Sequence, residues 1–219
     1  MITVYGMAIS GNCWKVAQLL KLTGHAFHWI ETDTTKGETR TPEFLSMNPQ
    51  GEVPVLELDN GAILTQSNAI LTHFAEGTAW LPPPGLARTR VMQWLFWEQY
   101  SHEPYIAVAR WLITYRGQRQ LQADRLKLCA ERGRAALGVM QERLSKHDWL
   151  TDEGPTIADL ALFAYTHVAD EGEFDLAETP AVAAWVARVS SLKGIQPLPR
   201  STGANPSVLP GGYGQLRRG

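Results

Sequence analysis

Three consecutive prolines, Pro82-Pro83-Pro84, followed by Gly85, constrain this chain more than any other feature. Proline fixes its own φ, lacks an N–H and clashes with the preceding turn, so neither a helix interior nor a central strand can hold the run. Residues 79–85 therefore divide the 219-residue chain into two parts that must fold separately in local terms. Before the prolines, short β-branched runs alternate with helical spacing. After them, nothing reads as a sheet.

In the first part, residues 2–5 are expected to form a strand and residues 13–22 a helix, with Val16, Leu19 and Leu20 at helical spacing. Gly24 suits the helix stop, and residues 27–32 read as a second strand. Strand, helix and strand in such close succession predict a right-handed parallel βαβ unit. Thr41 and Pro42 open a short helix to about residue 47. Residues 53–58 and 62–65 flank Asp59-Asn60-Gly61, and Asn-Gly is a strong hairpin signal. Ser67 is expected to cap a helix to about residue 75. This order predicts an α/β thioredoxin-like N-terminal domain. Beyond the prolines, residues 88–115, 122–144, 156–169 and 180–192 have helical spacing, with Pro104 kinking the first of these helices. They predict an all-α C-terminal helical bundle. The expected partition is 1–78, a linker at 79–86, 87–193, and a Gly/Pro-rich tail at 194–219, read as irregular or partly disordered.

Composition removes several function classes. A formal charge of −2 without a Lys/Arg block argues against a nucleic-acid partner. No apolar run approaches the roughly 20 residues of a membrane span. The N-terminus does not read as a secretory signal, and two cysteines, Cys13 and Cys129, suit a reducing cytoplasm. No metal is assigned. The expectation is a cytoplasmic globular protein.

Three stretches of the first part carry chemistry. Ser10-Gly11-Asn12-Cys13 stands where the first strand meets the first helix, and a helix start favours an anion. Ser10 and Asn12 can each donate to a thiolate there, or simply cap the helix. A charge-assisted hydrogen bond contributes roughly 1.5–3 kcal/mol. About 1.4 kcal/mol is one pKa unit, so two such donors suffice to ionise a thiol near neutrality. Val53-Pro54 opens a strand, and a cis bond there would leave the Val53 main chain available to an extended peptide. Gln66-Ser67 begins the next helix with Ile70, not a carboxylate, three residues beyond Ser67, so that helix start is open to an external carboxylate.

These stretches, together with Asn48-Pro49-Gln50-Gly51 and with Pro155-Thr156-Ile157-Ala158-Asp159-Leu160, resemble the cytosolic glutathione transferases in order and spacing over residues 1–192. The resemblance implies glutathione as co-substrate, ionised by Ser10 and Asn12 for attack on a small hydrophobic electrophile. It also implies a homodimer. Val53 and Pro54 match the clamp on the cysteinyl unit; Gln66 and Ser67 match a Glu-Ser pair at the γ-glutamyl end. Gln66 departs from that pair in charge, and Glu52 stands where Gln or Lys is common. Lys36 is either a partner for the glycyl carboxylate or a solvated lysine. Thr156 and Asp159 form the family's helical capping motif, which serves stability. Cys13 and Tyr5 are rivals to Ser10, each with a structural reading beside it. In the second part His102, Tyr105 and Trp111 are candidates for the electrophile pocket, with a structural reading of His102 standing ahead of that one. The Ser/Asn pair also resembles bacterial members acting on disulfides. A glutathione-dependent disulfide reductase or peroxidase is therefore the first alternative, and a non-catalytic binding module the second.

Overall fold

The computed structural model describes residues 1–201. Its centre is β1 (Ile2–Gly6), which pairs parallel with β2 (Phe27–Glu31) and antiparallel with β3 (Val55–Glu57). β4 (Ile63–Thr65) extends the sheet antiparallel, giving the order β2-β1-β3-β4. The register sets Val4 opposite Trp29 and Leu56, and all three are buried. The β3–β4 turn runs through Gly61 at φ +81°, the left-handed conformation that glycine adopts without strain, and Asn60 Oδ1 accepts the Ala62 N–H at 3.0 Å.

Helix α1 (Gly11–Leu22) crosses from β1 to β2 and packs beside α3 (Ser67–Ala75). The short α2 (Pro42–Met47) starts as its sequence demands, with Thr41 Oγ1 accepting the Phe44 N–H at 3.2 Å. The second domain comprises α4 (Leu86–Trp97), α5 (Glu103–Arg110), α6 (Ala123–Leu144), α7 (Ile157–Thr166) and α8 (Pro180–Ser190). Every residue of α7 is buried, because one side meets α1 and the others meet α4, α5 and α8. Its start carries the expected capping box. Asp159 accepts the N–H groups of Thr156 and Leu150, and the indole N–H of buried Trp185 at 2.9 Å.

With α7 on its outer side, α1 is buried from Cys13 to Leu20, and its polar residues there need internal partners. Lys15 pairs with Glu98 at 3.2 Å, both side chains fully buried. Gln18 donates to Gly194 O at 2.7 Å and accepts from Gln196 N at 3.0 Å. Trp14 Nε1 donates to Gln196 O at 2.9 Å.

Several expectations change. Helix α1 begins at Gly11 with Ser10 as its N-cap, two residues earlier than the apolar spacing begins. Ser67 is the first residue of α3 and not its cap; Gln66 precedes it at φ +66°, which in a non-glycine residue costs about 1–3 kcal/mol. The stretch 88–115 is not one kinked α-helix: π turns at Glu98–His102 and Trp111–Tyr115 interrupt it, the first directly before Pro104. Finally, residues 194–201, irregular in backbone as expected, are laid down as a strap across both domains, with Leu198 buried. Residues 202–219 lie outside the described part.

Candidate active site

Between the domains lies a cavity of about 470 Å³. Its floor is the loop from Met7 into α1, its rim the turn at Gly51–Val53, and its far wall α5 and the π turn beyond. A smaller recess of about 50 Å³ adjoins it, lined by Pro54, Gln66 and Ser67, and shares Asn12, Glu52, Val53 and Gln99 with it. The Val53–Pro54 bond is cis.

Asn12 joins the parts. Its Nδ2 donates to Glu103 at 3.2 Å, its Oδ1 accepts Ser67 Oγ at 3.3 Å and Gln99 Nε2 at 3.5 Å, and its main-chain N–H meets Tyr165 Oη at 3.3 Å. Ser10 Oγ accepts the Cys13 N–H at 3.4 Å, a long capping contact that leaves its hydroxyl proton to donate. Tyr165 closes over the start of α1; a Cβ on Gly11 would fall 2.7 Å from its ring, so only glycine fits. Burial and the charge of Glu103 push the Tyr165 hydroxyl above its ordinary range, with Ser10 opposing.

Arg110 holds this floor from the second domain. Its guanidinium donates to Ile9 O at 2.8 Å, to Glu171 at 2.6 Å and to Tyr115 Oη at 2.7 Å. It also reaches Pro199 O of the strap at 3.2 Å. The residue before Ser10 is thus fixed by a buried ion pair. Ile9, Val108, Trp111 and Tyr115 give the cavity its apolar wall, with Trp111 and Tyr115 stacked at 5.8 Å.

The candidate residues divide accordingly. Ser10, Asn12, Val53 and Trp111 line the larger cavity, and Pro54, Gln66 and Ser67 the recess. Lys36 lies apart, pairing with Asp33 at 3.2 Å and 56% exposed. His102 is fully buried, not in the pocket; its Nε2 meets Thr166 Oγ1 at 2.9 Å. Burial, and then the charge of Lys15, lower its pKa to about 3, so it stays neutral. Tyr105 packs against the core outside the cavity. Cys13 is fully buried, accepts the Met7 N–H at 3.4 Å, and burial pushes its thiol up to about 12. Tyr5 donates to Glu57 at 3.1 Å and does not line the cavity.

The glutathione S-transferase N-terminal domain model matches residues 1–76, and the C-terminal domain model residues 102–193. The chain is 30% identical over 206 residues to the disulfide-bond oxidoreductase YfcG of Escherichia coli, covering 87% of this chain and 91% of that protein. The chain belongs to the glutathione S-transferase family. A solved glutathione S-transferase from Xanthobacter autotrophicus Py2 is 61% identical over 91% of this chain and 97% of its own, with a TM-score of 0.89. Ure2p in complex with glutathione is 27% identical, with 88% and 91% coverage and a TM-score of 0.78.

Within this glutathione S-transferase fold, Glu103, Gln99 and Tyr165 reach the site unannounced by the sequence. Glu103 and Gln99 read as polar positions on a long helix, and Tyr165 as core of the capped helix. The bulk of Tyr165 against Gly11 was the available signal, and it requires the tertiary fold to be seen.

Proposed function

We infer that the protein binds glutathione in the recess and cleft between its domains and uses the glutathione thiolate to attack a small electrophile. The observation that carries this reading is the convergence of Ser10, Asn12, the cis Val53–Pro54 turn and the Gln66–Ser67 helix start on one cleft. Glutathione would run along it with its γ-glutamyl end in the recess, its cysteinyl unit beside Val53 and its sulfur at Ser10 and Asn12. The Ser10 hydroxyl and the Asn12 amide stabilise the thiolate, and the helix start adds its partial positive charge. The apolar wall at Ile9, Val108 and Trp111 receives the second substrate. The protein itself forms no covalent bond; it lowers a pKa and holds two reactants together.

A disulfide is the second substrate class worth testing. The relative in Escherichia coli is named a disulfide-bond oxidoreductase, and with Cys13 buried such a reaction must run through glutathione sulfur. We also propose a homodimer, supported by Phe96 near the end of α4 and Tyr100 in the π turn that follows, which stand 71% and 83% exposed; light scattering reads the mass directly. Among the described residues no helix is long and apolar enough to cross a membrane, which fits a cytoplasmic location.

The test is the ultraviolet thiolate band of bound glutathione, compared in the wild type and Ser10→Ala. A band near neutral pH that weakens in the variant supports the reading. Failure of the wild type to bind millimolar glutathione would falsify it and leave a non-catalytic module of the same fold.

A further inference from the structure

Two glutamates one π turn apart meet opposite surroundings. Glu98 is fully buried, and its carboxylate receives Lys15 Nζ on both oxygens at 3.2 Å. Asn68 at 2.9 Å and Gln99 at 2.7 Å complete its shell. Glu103 faces the cavity, and among the described residues the one hydrogen bond to its carboxylate comes from Asn12 Nδ2. The Glu103 N–H closes the intervening turn onto Glu98 O. Such π turns collect at functional sites. When two carboxyl groups so close are placed in such different environments, their tasks separate: one holds structure, the other is left to exchange protons.

We propose that Glu103 is a catalytic residue of this cavity, taking the glutathione thiol proton and returning it to a basic oxygen or sulfur leaving atom. The inference rests on the glutathione reading above and deepens it by naming the substrate class. Glu103 shares Asn12 with the thiol site and lines the same cavity as the apolar wall at Val108 and Trp111. An electrophile held between thiolate and wall therefore lies within reach of it, directly or through one water. The Glu103 carboxylate accepts the thiol proton as glutathione binds. The thiolate forms a C–S bond as a C–O bond breaks, or a new S–S bond as the old one breaks. The departing oxyanion or thiolate takes the proton from Glu103, which returns to carboxylate. A halide leaves without a proton, so it has no use for the second transfer.

The surrounding charges suit that task. Burial, the charge of Glu98 and that of Glu52 across the cleft raise the Glu103 pKa to about 7, opposed by Lys15 and by the Asn12 bond. Tyr165 of α7 faces it as a neutral hydroxyl, and Arg110 on its own helix is already paired with Glu171. A group titrating there is protonated often enough to donate and ionised often enough to accept.

The experiment compares wild type, Glu103→Gln and Glu103→Asp with three probes: styrene oxide, hydroxyethyl disulfide and chlorodinitrobenzene. Glutathione affinity is measured alongside. Gln retains an oxygen for Asn12 and cannot carry the proton. In the wild type, kcat/KM for the epoxide and the disulfide should rise to a maximum near pH 7, where Glu103 ionises to take the thiol proton, and then fall on an alkaline limb where the complex has lost that proton. In Glu103→Gln that limb should vanish, and the ratio of epoxide to chloroarene turnover should drop about tenfold or more. Glu103→Asp should restore part of both. A Gln variant with equal losses on all three probes, or with the wild-type pH profile, overturns the proposal while glutathione binding stands. Absence of glutathione binding by the wild type overturns the parent reading and this one together.

Discussion

Asn12 is bonded to four groups from three separate stretches of chain: Ser67, then Gln99 and Glu103, then Tyr165. Its side chain presents one donor face and one acceptor face, so it ties Ser67 of the first domain to Glu103 of the second. Replacing it by alanine removes a thiolate donor and leaves Ser67 and Glu103 without their link. We expect Asn12→Ala to lower kcat/KM for glutathione conjugation about tenfold to a hundredfold, from roughly 1.5–3 kcal/mol of charge-assisted bonding. Steady-state kinetics on the purified variant check this; a loss under twofold would remove Asn12 from the thiol site. At this scale the sequence was informative wherever one local stretch holds the whole signal. Ser10-Gly11-Asn12 and Gln66-Ser67 are such stretches, and both line the site. It was silent where the signal is a meeting of distant residues, since Glu103 lies 91 positions from Asn12 and Tyr165 lies 153. His102 misled for a related reason: an isolated histidine looks the same in sequence whether it faces a cleft or meets Thr166 inside the core.

Among the elements, α7 depends most on a single side chain. Asp159 gathers the Thr156 and Leu150 N–H groups and the Trp185 indole in a site without solvent. Truncating it leaves buried donors unsatisfied, each costing about 1–3 kcal/mol. Asp159→Ala should therefore lose about 4 kcal/mol and melt about 10 °C lower, if it accumulates folded at all; calorimetry measures it, and an unchanged transition would show the network to be dispensable. This capping box was readable because its members sit three residues apart. The strands and helices of the first domain were readable because their periods are local. The π turns were not, for a hydrogen bond to the fifth residue leaves no mark on composition. The helix at 156–169 also stopped early: α7 ends at Thr166, and a 3-10 turn at Ala169–Gly172 follows.

At the scale of the whole molecule, the strap is what the sequence concealed best. Rich in Gly and Pro, it has no periodicity, so its order comes wholly from the partners it finds. Gln196 serves Trp14 and Gln18, Leu198 N donates to His167 Nε2 at 3.0 Å, and Arg200 pairs with Asp170 at 2.6 Å. A chain ending at Gly194 would strand the Trp14 indole N–H and the Gln18 amide oxygen and expose the Leu198 seat. We expect it to melt roughly 10 °C lower, from about 4 kcal/mol of lost burial and hydrogen bonding. A thermal scan with an unshifted midpoint would refute this. The burial of α1 has a further consequence for anyone recombining relatives of this fold. The proline run looks like the natural place to splice, since it separates two family domains along the chain. Yet Lys15 has its counter-charge at Glu98, and Trp14 its acceptor at Gln196, both beyond that point. A chimera joined there inherits a helix from one parent and its neutralising partner from another. The functional seam runs between the faces of α1, and a graft must carry the helix, the π turn and the strap as one inherited unit.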